Sequence, residues 1–299
     1  MDTPNRIKVN MPKTVAFLGP EGTYTDEACY LYAPEEHRIP FGSLGLVTSA
    51  LEEGKVDEAV VPIENSLGGT VIEVVDYLVT STKARINGEI LLPIDHCLIT
   101  RPGVQLSEIR VVMSKQEALT QCRRFLSENL RYSEQIATTS TALAVTNLKE
   151  GDNRTAAIGP RRSAELAGLP VLVNGIQDRE NNVTRFAILT SGGKPDKASN
   201  KTSIAFDFDS PDAPGLVYGA LSPFADRGIN LLKIESRPTG KGMGSYIFLL
   251  DFEGHINAPH VQEAISALKN HTATFKVLGT YPRAKDISTR QVLLNQEHL

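Results

Sequence analysis

Asn181, Asn182, Thr184 and Arg185 stand at the head of the apolar run ENNVTRFAIL, residues 180–189. A hydroxyl can donate or accept a hydrogen bond, and a guanidinium can clamp a carboxylate through two parallel bonds. Strand side chains alternate with period two, so Val183, Arg185 and Ala187 point to one face and Thr184, Phe186 and Ile188 to the other. The stretch also fits an ordinary buried strand with solvated first residues. Asn182-Val183-Thr184 matches the short glycosylation pattern N-x-[ST] as well.

Four segments bear on the choice: GPEGTYT (19–25), IENSLGGT (63–70), TTSTA (138–142) and GPRRS (159–163). Each follows an apolar run and mixes glycine with hydroxyls, the composition of a strand-to-helix turn. One such turn needs nothing beyond helix capping. Four in one region, with free N–H groups and the partial positive charge of each helix start, describe a site for a small anion that Thr184 and Arg185 complete. Glu64, at a strand end, is read either as a general acid raised by burial or as a cap. His96, flanked by apolar residues, is read as a core histidine before a catalytic one. GGKP at 192–195 lacks the hydroxyl that a phosphate loop carries after its lysine, and no G-x-G-x-x-G follows a strand, so no nucleotide cofactor is expected. His255 and His260 have no acidic neighbours at ligand spacing, and no metal is assigned.

The elements that must position these residues follow from patterning. The chain has 299 residues, 41% of them hydrophobic, and a formal charge of −4, which suits about two globular domains and gives no general attraction for nucleic acid. MDTPNRIKVNMPKTVAFLG has no apolar core of a signal peptide and no run is long enough to span a membrane, so a cytoplasmic protein with an unglycosylated sequon is expected. Residues 1–12 read as a tail in which Met11 could be a start. Cys29, Cys97 and Cys122, odd in number and without CxxC spacing, read as buried reduced thiols. Strand-then-helix patterns repeat up to residue 190 and predict an α/β domain with largely parallel sheets and ligands at the carboxyl ends of strands. SGGKPDKASNK (191–201) reads as a linker. Beyond it, IAFDFD, a helix face of Val217, Leu221 and Phe224, INLLKIES, SYIFLLDF, a second face of Val261, Ile265 and Leu268, and TFKVLGTY give βαββαβ, a ferredoxin-like split.

FLGPEGTYT, VVPIENSLGGTV, TTSTALA and NNVTRFAIL resemble the prephenate dehydratase domain, and PGLVYGALSPFADRGINLLKIESRP resembles its regulatory ACT domain. The resemblance spans residues 13–283 and no chorismate mutase domain precedes it, so it implies the monofunctional form. Two stretches depart from the family pattern. Ser114-Lys115-Gln116-Glu117-Ala118 stands where the family has Ser-His-Pro-Gln-Ala, and the family's Gly-Ala-Leu motif falls on Gly215, Leu216 and Val217, with a literal Gly219-Ala220-Leu221 one turn later.

The resemblance implies a two-lobed, periplasmic-binding-protein-like catalytic domain over 13–190, a linker over 191–201 and an ACT domain over 202–283. It implies loss of water and carbon dioxide from prephenate to give phenylpyruvate in L-phenylalanine biosynthesis, without cofactor or metal. Thr184 would activate the leaving group, Arg185 would bind a carboxylate, and Glu64 would be the proton source of a relay. Thr23, Asn65, Ser66, Thr139, Ser140 and Phe186 would position the substrate. Effector L-phenylalanine would bind between chains of a homodimer or homotetramer, with Gly215, Leu216 and Val217 of one near Asn230, Glu235, Ser236, Arg237 and Pro238 of another. A chain cut near Lys194 would keep activity and lose regulation. Arogenate dehydratase and a non-catalytic anion sensor are the competing readings, the sensor because such lobes serve many binding proteins.

Overall fold

The computed structural model of the protein describes residues 12–208, 213–239 and 245–284. The tail expected over residues 1–12, with Met11, lies outside them except for Pro12. The first lobe holds β1 (Thr14–Leu18), α1 (Tyr24–Tyr32), β2 (His37–Phe41), α2 (Leu44–Glu52), β3 (Glu58–Asn65), the short β4 (Gly69–Thr70), α3 (Ile72–Thr80) and β5 (Ala84–Pro93). The second holds β6 (Cys97–Ile99), β7 (Val111–Lys115), α4 (Gln116–Gln121), α5 (Arg123–Asn129), β8 (Glu134–Thr138), α6 (Thr141–Asn147), β9 (Thr155–Gly159), α7 (Arg161–Ala167) and β10 (Val171–Val173). β11 (Val183–Ser191) then returns to the first lobe. Val15, Ala16, Val60, Ala156 and Ala157 are wholly buried, which is why β1, β3 and β9 read as continuous apolar runs: helices cover both faces.

The sheets are mixed, not largely parallel. β1 pairs parallel with β2 and β3, and β7 with β8 and β9, but β11 lies antiparallel between β3 and β5, and β6 antiparallel to β9 and β10. The reason is the path between lobes: β5 leads out and β11 leads back, so the neighbours run oppositely.

The small domain follows as β12 (Lys201–Phe208), α8 (Leu216–Ala225), β13 (Leu231–Pro238), β14 (Tyr246–Glu253), α9 (Pro259–Lys269) and β15 (Thr272–Tyr281), the expected βαββαβ order. Its strands run β13-β14-β12-β15, and Phe224, Val261, Ile265 and Leu268 of the two helices pack on Ile204, Phe206, Leu250 and Phe252. Each such fully buried side chain contributes about 1.5–3 kcal/mol. Val217, expected on the same face as Phe224, is 40% exposed.

The other face of the small domain joins the first lobe. Ala205, Leu249, Leu278 and Tyr281 belong to the same core cluster as Val61, Val74 and Leu78. β15 pairs parallel with β5 through Gly279 and Ile86, making one ten-stranded sheet. Only glycine fits there, because a Cβ on Gly279 would overlap the Ile86 carbonyl. Of the linker expected over 191–201, Ser191 still belongs to β11 and Lys201 already to β12. No helix among the described residues is long and apolar enough to cross a membrane.

Candidate active site

β3 ends and β11 begins side by side, and their antiparallel register sets Thr184 opposite Asn65 and Arg185 opposite Glu64. Cross-strand partners share a face, so Thr184 and Asn65 lie on one side of the sheet and Arg185 and Glu64 on the other. Asn65 Nδ2 donates to Thr184 Oγ1 at 3.0 Å and to Asn182 Oδ1 at 2.7 Å, while its Oδ1 accepts from the N–H groups of Leu67 and Gly68 at 3.0 and 2.8 Å. Ser66 Oγ donates to Asn181 O and accepts from Val183 N–H, both at 3.0 Å. The turn after β3 is thus sewn to β11. Thr184 is 9% exposed, and its hydroxyl proton has no acceptor among the described residues.

The two passages between lobes are bonded to each other. Ile94 N–H donates to Asn182 O at 2.8 Å and Ile176 N–H to His96 O at 3.0 Å. His96 Nε2 donates to Gln121 Oε1 at 2.8 Å, which also accepts from Asn182 Nδ2 at 3.2 Å. The Tyr24 hydroxyl stands 2.8 Å from both His96 Nδ1 and Asp95 O. Burial holds His96 below the usual imidazole value, against the opposing Gln121 bond, so the ring is neutral at pH 7. A polar chain therefore runs from Tyr24 through His96, Gln121, Asn182 and Asn65 to Thr184. Gln121 ends α4 and Tyr24 begins α1, and in a single sequence each looks like any half-solvated helix terminus. The turns after β1 and β9 also meet: Arg162 Nε donates to Asp26 at 2.7 Å and Ser163 Oγ to Gly22 O at 2.5 Å. Gly22 has φ +82°, and a Cβ there would lie 2.8 Å from Ser163 Oγ.

Arg185 faces away from Thr184. Its Nε donates to Glu89 at 2.7 Å, Nη1 to Asp251 at 2.7 Å with Glu64 at 3.5 Å, and Nη2 to the Tyr281 hydroxyl at 2.7 Å. Lys201 shares Glu89 at 2.8 Å, and Ser203 lies 2.6 Å from Tyr281 and donates to Asp251 at 2.6 Å. Burial works to raise the Asp251 carboxyl, but Arg185 and Lys201 outweigh it and hold it below the usual carboxylate value. The expectation that Thr184 and Arg185 complete one anion site is thereby corrected: strand alternation sends the guanidinium into the junction with the small domain, where Nε, Nη1 and Nη2 are all engaged. Glu64 follows it, 3.0 Å from Lys233, so the sheet separates it from the Thr184 hydroxyl it was expected to feed.

Other expected site residues are placed as follows. Thr23 caps α1 by accepting from Asp26 N–H at 3.2 Å, and Ser140 caps α6 by accepting from Leu143 N–H at 3.0 Å. Thr139 is exposed. Phe186, 1% exposed, is core among Val15, Phe17 and Val60 and is closed to a substrate. On β13, Glu235 bonds Thr70 and Arg237 holds Asp76 at 2.6 and 3.2 Å, both in the chain's own first lobe, while Ser236 and Pro238 are exposed. Gly215 (φ +90°) precedes α8, and Leu216 opens it. Asn230 precedes β13, at the far end from Pro238. Cys29, Cys97 and Cys122 are free and buried, and burial pushes the first two thiols up to about 12 and about 11.

The family model for prephenate dehydratase matches residues 15–194, more than half of the chain. The chain belongs to the prephenate dehydratase family. The ACT domain model matches residues 205–270. Prephenate dehydratase of Methanocaldococcus jannaschii is 37% identical over 282 residues, covering 91% of this chain and 99% of that protein. The crystal structure of prephenate dehydratase in complex with L-Phe from Arthrobacter aurescens superposes with a TM-score of 0.81 at 37% identity, covering 91% and 90% of the two chains. A structure described as a novel type of quorum-quenching acylase gives a TM-score of 0.82 at 29% identity, covering 91% and 98%.

Within this prephenate dehydratase fold, one titratable group between the lobes escaped the sequence reading. Burial pushes the Glu27 carboxyl up to about 7; Arg162 opposes this, while Glu165, Asp95 and Asp26 add to it. In a sequence Glu27 is one acidic residue in a helix's first turn, where such residues are common. Because its value is raised on folding, the native chain binds more protons than the unfolded chain between about 4.5 and about 7, and stability from this group falls as pH rises through that window. Glu27→Gln is expected to flatten that part of the profile. Thermal melts at pH values on either side of the window check it, and parallel profiles for variant and wild type would contradict it.

Proposed function

We propose that the chain catalyses the decarboxylating dehydration of prephenate to phenylpyruvate, with the Thr184 hydroxyl donating to the ring hydroxyl as it leaves. The observation that carries this is the Asn65 amide held on Thr184 Oγ1 at 3.0 Å, which fixes the oxygen and leaves its proton to point elsewhere. In the reaction, the pair of electrons from the ring–carboxylate bond enters the ring as carbon dioxide departs. The C–O bond breaks and the oxygen leaves as water, consuming one proton. A threonine hydroxyl is a poor acid, so it stabilises the developing charge and another group supplies the proton. Glu27 is our candidate, since it titrates near neutrality between the lobes; Glu64 lies across the sheet. The Thr23 hydroxyl is spent on its own turn and that of Ser66 on Asn181 and Val183 of the β11 segment, whereas Ser140 Oγ only accepts from Leu143 N–H, so substrate oxygens meet Ser140, the exposed Thr139 and the backbone N–H groups that open α1 and α6. Arg185 acts as a positioning residue that fixes β11.

The reading extends to regulation by L-phenylalanine, supported by the relative in complex with it. Gly215, Leu216, Val217, Ser236 and Pro238 would line the effector site, with Asn230 from a second copy. Val217 and Tyr218 of α8, Ile234 of β13 and Tyr246 of β14 are exposed, apolar surface suited to pairing of two chains. Glu235 and Arg237 then carry the signal to Thr70 and Asp76. Buried thiols fit a reducing, cytoplasmic setting.

One assay tests the whole reading: prephenate, arogenate and an N-acyl amide are offered to the full chain while L-phenylalanine is titrated. Phenylpyruvate is expected from prephenate, with the highest kcat/KM of the three, and its formation falls with added effector. Preference for arogenate would reassign the substrate. Amide hydrolysis without phenylpyruvate would overturn the assignment.

A further inference from the structure

A recess of ≈ 500 Å³ opens at the end of the small domain where β12 and β13 begin and β14 and β15 finish. Ser199, Asn230, His255, His260 and Arg283 contribute to its wall. Within one chain it lies at the far end of the sheet from Gly215 and Pro238, and its Asn230 is the wall residue it shares with the effector site proposed for a second copy.

What distinguishes it is unused donors. Ser199 is 5% exposed and its Oγ has no hydrogen-bond partner; His255 Nε2 is buried and has none either. Ser199 and His255 are the residues so identified among the described ones, and both line this recess. The histidine's tautomer follows from its other nitrogen: Nδ1 accepts from Asn257 N–H at 3.0 Å, so Nε2 carries the proton and is a donor. Beside them α9 starts without a side-chain cap on Ala258, and its second residue, His260, lines the recess. The carboxylate on the wall, Glu253, is taken by Arg283 at 2.6 Å, which leaves further guanidinium N–H groups.

We propose that this recess binds a small organic carboxylate, its two oxygens accepting from Ser199 Oγ–H and His255 Nε2–H, with the first turn of α9 and Arg283 supplying the positive field. Buried donors without acceptors select an acceptor, and one partly engaged guanidinium suits a single negative charge better than two. A cation finds only a carboxylate that is already paired.

Acetate is titrated into the full chain at ionic strength held with chloride, followed by backbone amide shifts of Ser199, Gly254 and Val261. His255→Asn keeps an oxygen where Nδ1 accepts from Asn257 and deletes the Nε2 donor; Ser199→Ala deletes the other and serves alone if the first variant misfolds. The expected result is saturable shifts in the wild type and about tenfold weaker binding in either variant. Shifts that never saturate, or that saturate equally in both variants, overturn the site. Saturation by inorganic phosphate but not acetate overturns the ligand class, and displacement of acetate by L-phenylalanine at these amides overturns its separateness from the effector site.

Discussion

Replacing Thr184 by alanine is expected to lower kcat about 10²-fold or more while KM stays near the wild-type value. The hydroxyl's bond strengthens only as the C–O bond breaks, so its loss falls on the transition state. Asn65 makes the test clean: it keeps Asn182, Leu67 and Gly68 as partners when Thr184 Oγ1 is removed, so the turn persists. Thr184→Ser, which keeps the hydroxyl, should recover most of the rate. Steady-state kinetics on folded variants decide it, and a near-normal kcat in the alanine protein would remove Thr184 from the chemistry.

Arg185→Ala is expected to cost about 3–5 kcal/mol of stability, because it leaves buried Glu89 and Asp251 with Lys201 as their remaining cation. Denaturant unfolding measures it. A substrate clamp and a junction residue give opposite signatures in Arg185→Lys: the clamp raises KM with stability kept, whereas the junction residue lowers stability with KM close to normal. Asp251→Asn in the same background should lessen the loss, since it removes one of the stranded charges. Independent, additive effects of the two substitutions would mean that the pair is not coupled.

Much of this molecule was legible because its signals are local. The βαββαβ order follows from periodicities of two and 3.6, and the placement of Thr184 and Arg185 on opposite faces follows from strand alternation alone. Their assignment to one site set that alternation aside in favour of the chemistry each could do. What stayed hidden depends on long-range pairing. Glu89, Asp251 and Tyr281 surround Arg185 from three different strands, and each is unremarkable where it stands in the chain. β11's antiparallel place between β3 and β5 could not be seen from runs of apolar residues, because a buried strand looks the same in either direction. Gln121 and Asn182 gained meaning only when the fold set α4 against the passage that leads back to β11.

Gly279 and Ile86 join the two domains through backbone, and this bears on how the chain can be divided. The expectation that a chain cut near Lys194 stays active treats residues 191–201 as a seam between self-sufficient bodies. Cutting there strips β15 from β5 and leaves an open strand edge, a template on which further chains can add and precipitate. The same cut uncovers the apolar side chains that Leu249 and Leu278 had shielded. For this family member the small domain is therefore expected to act as a solubility shield as well, and a shortened protein would need a charged or proline-bearing edge grafted onto β5 before its catalysis could be judged.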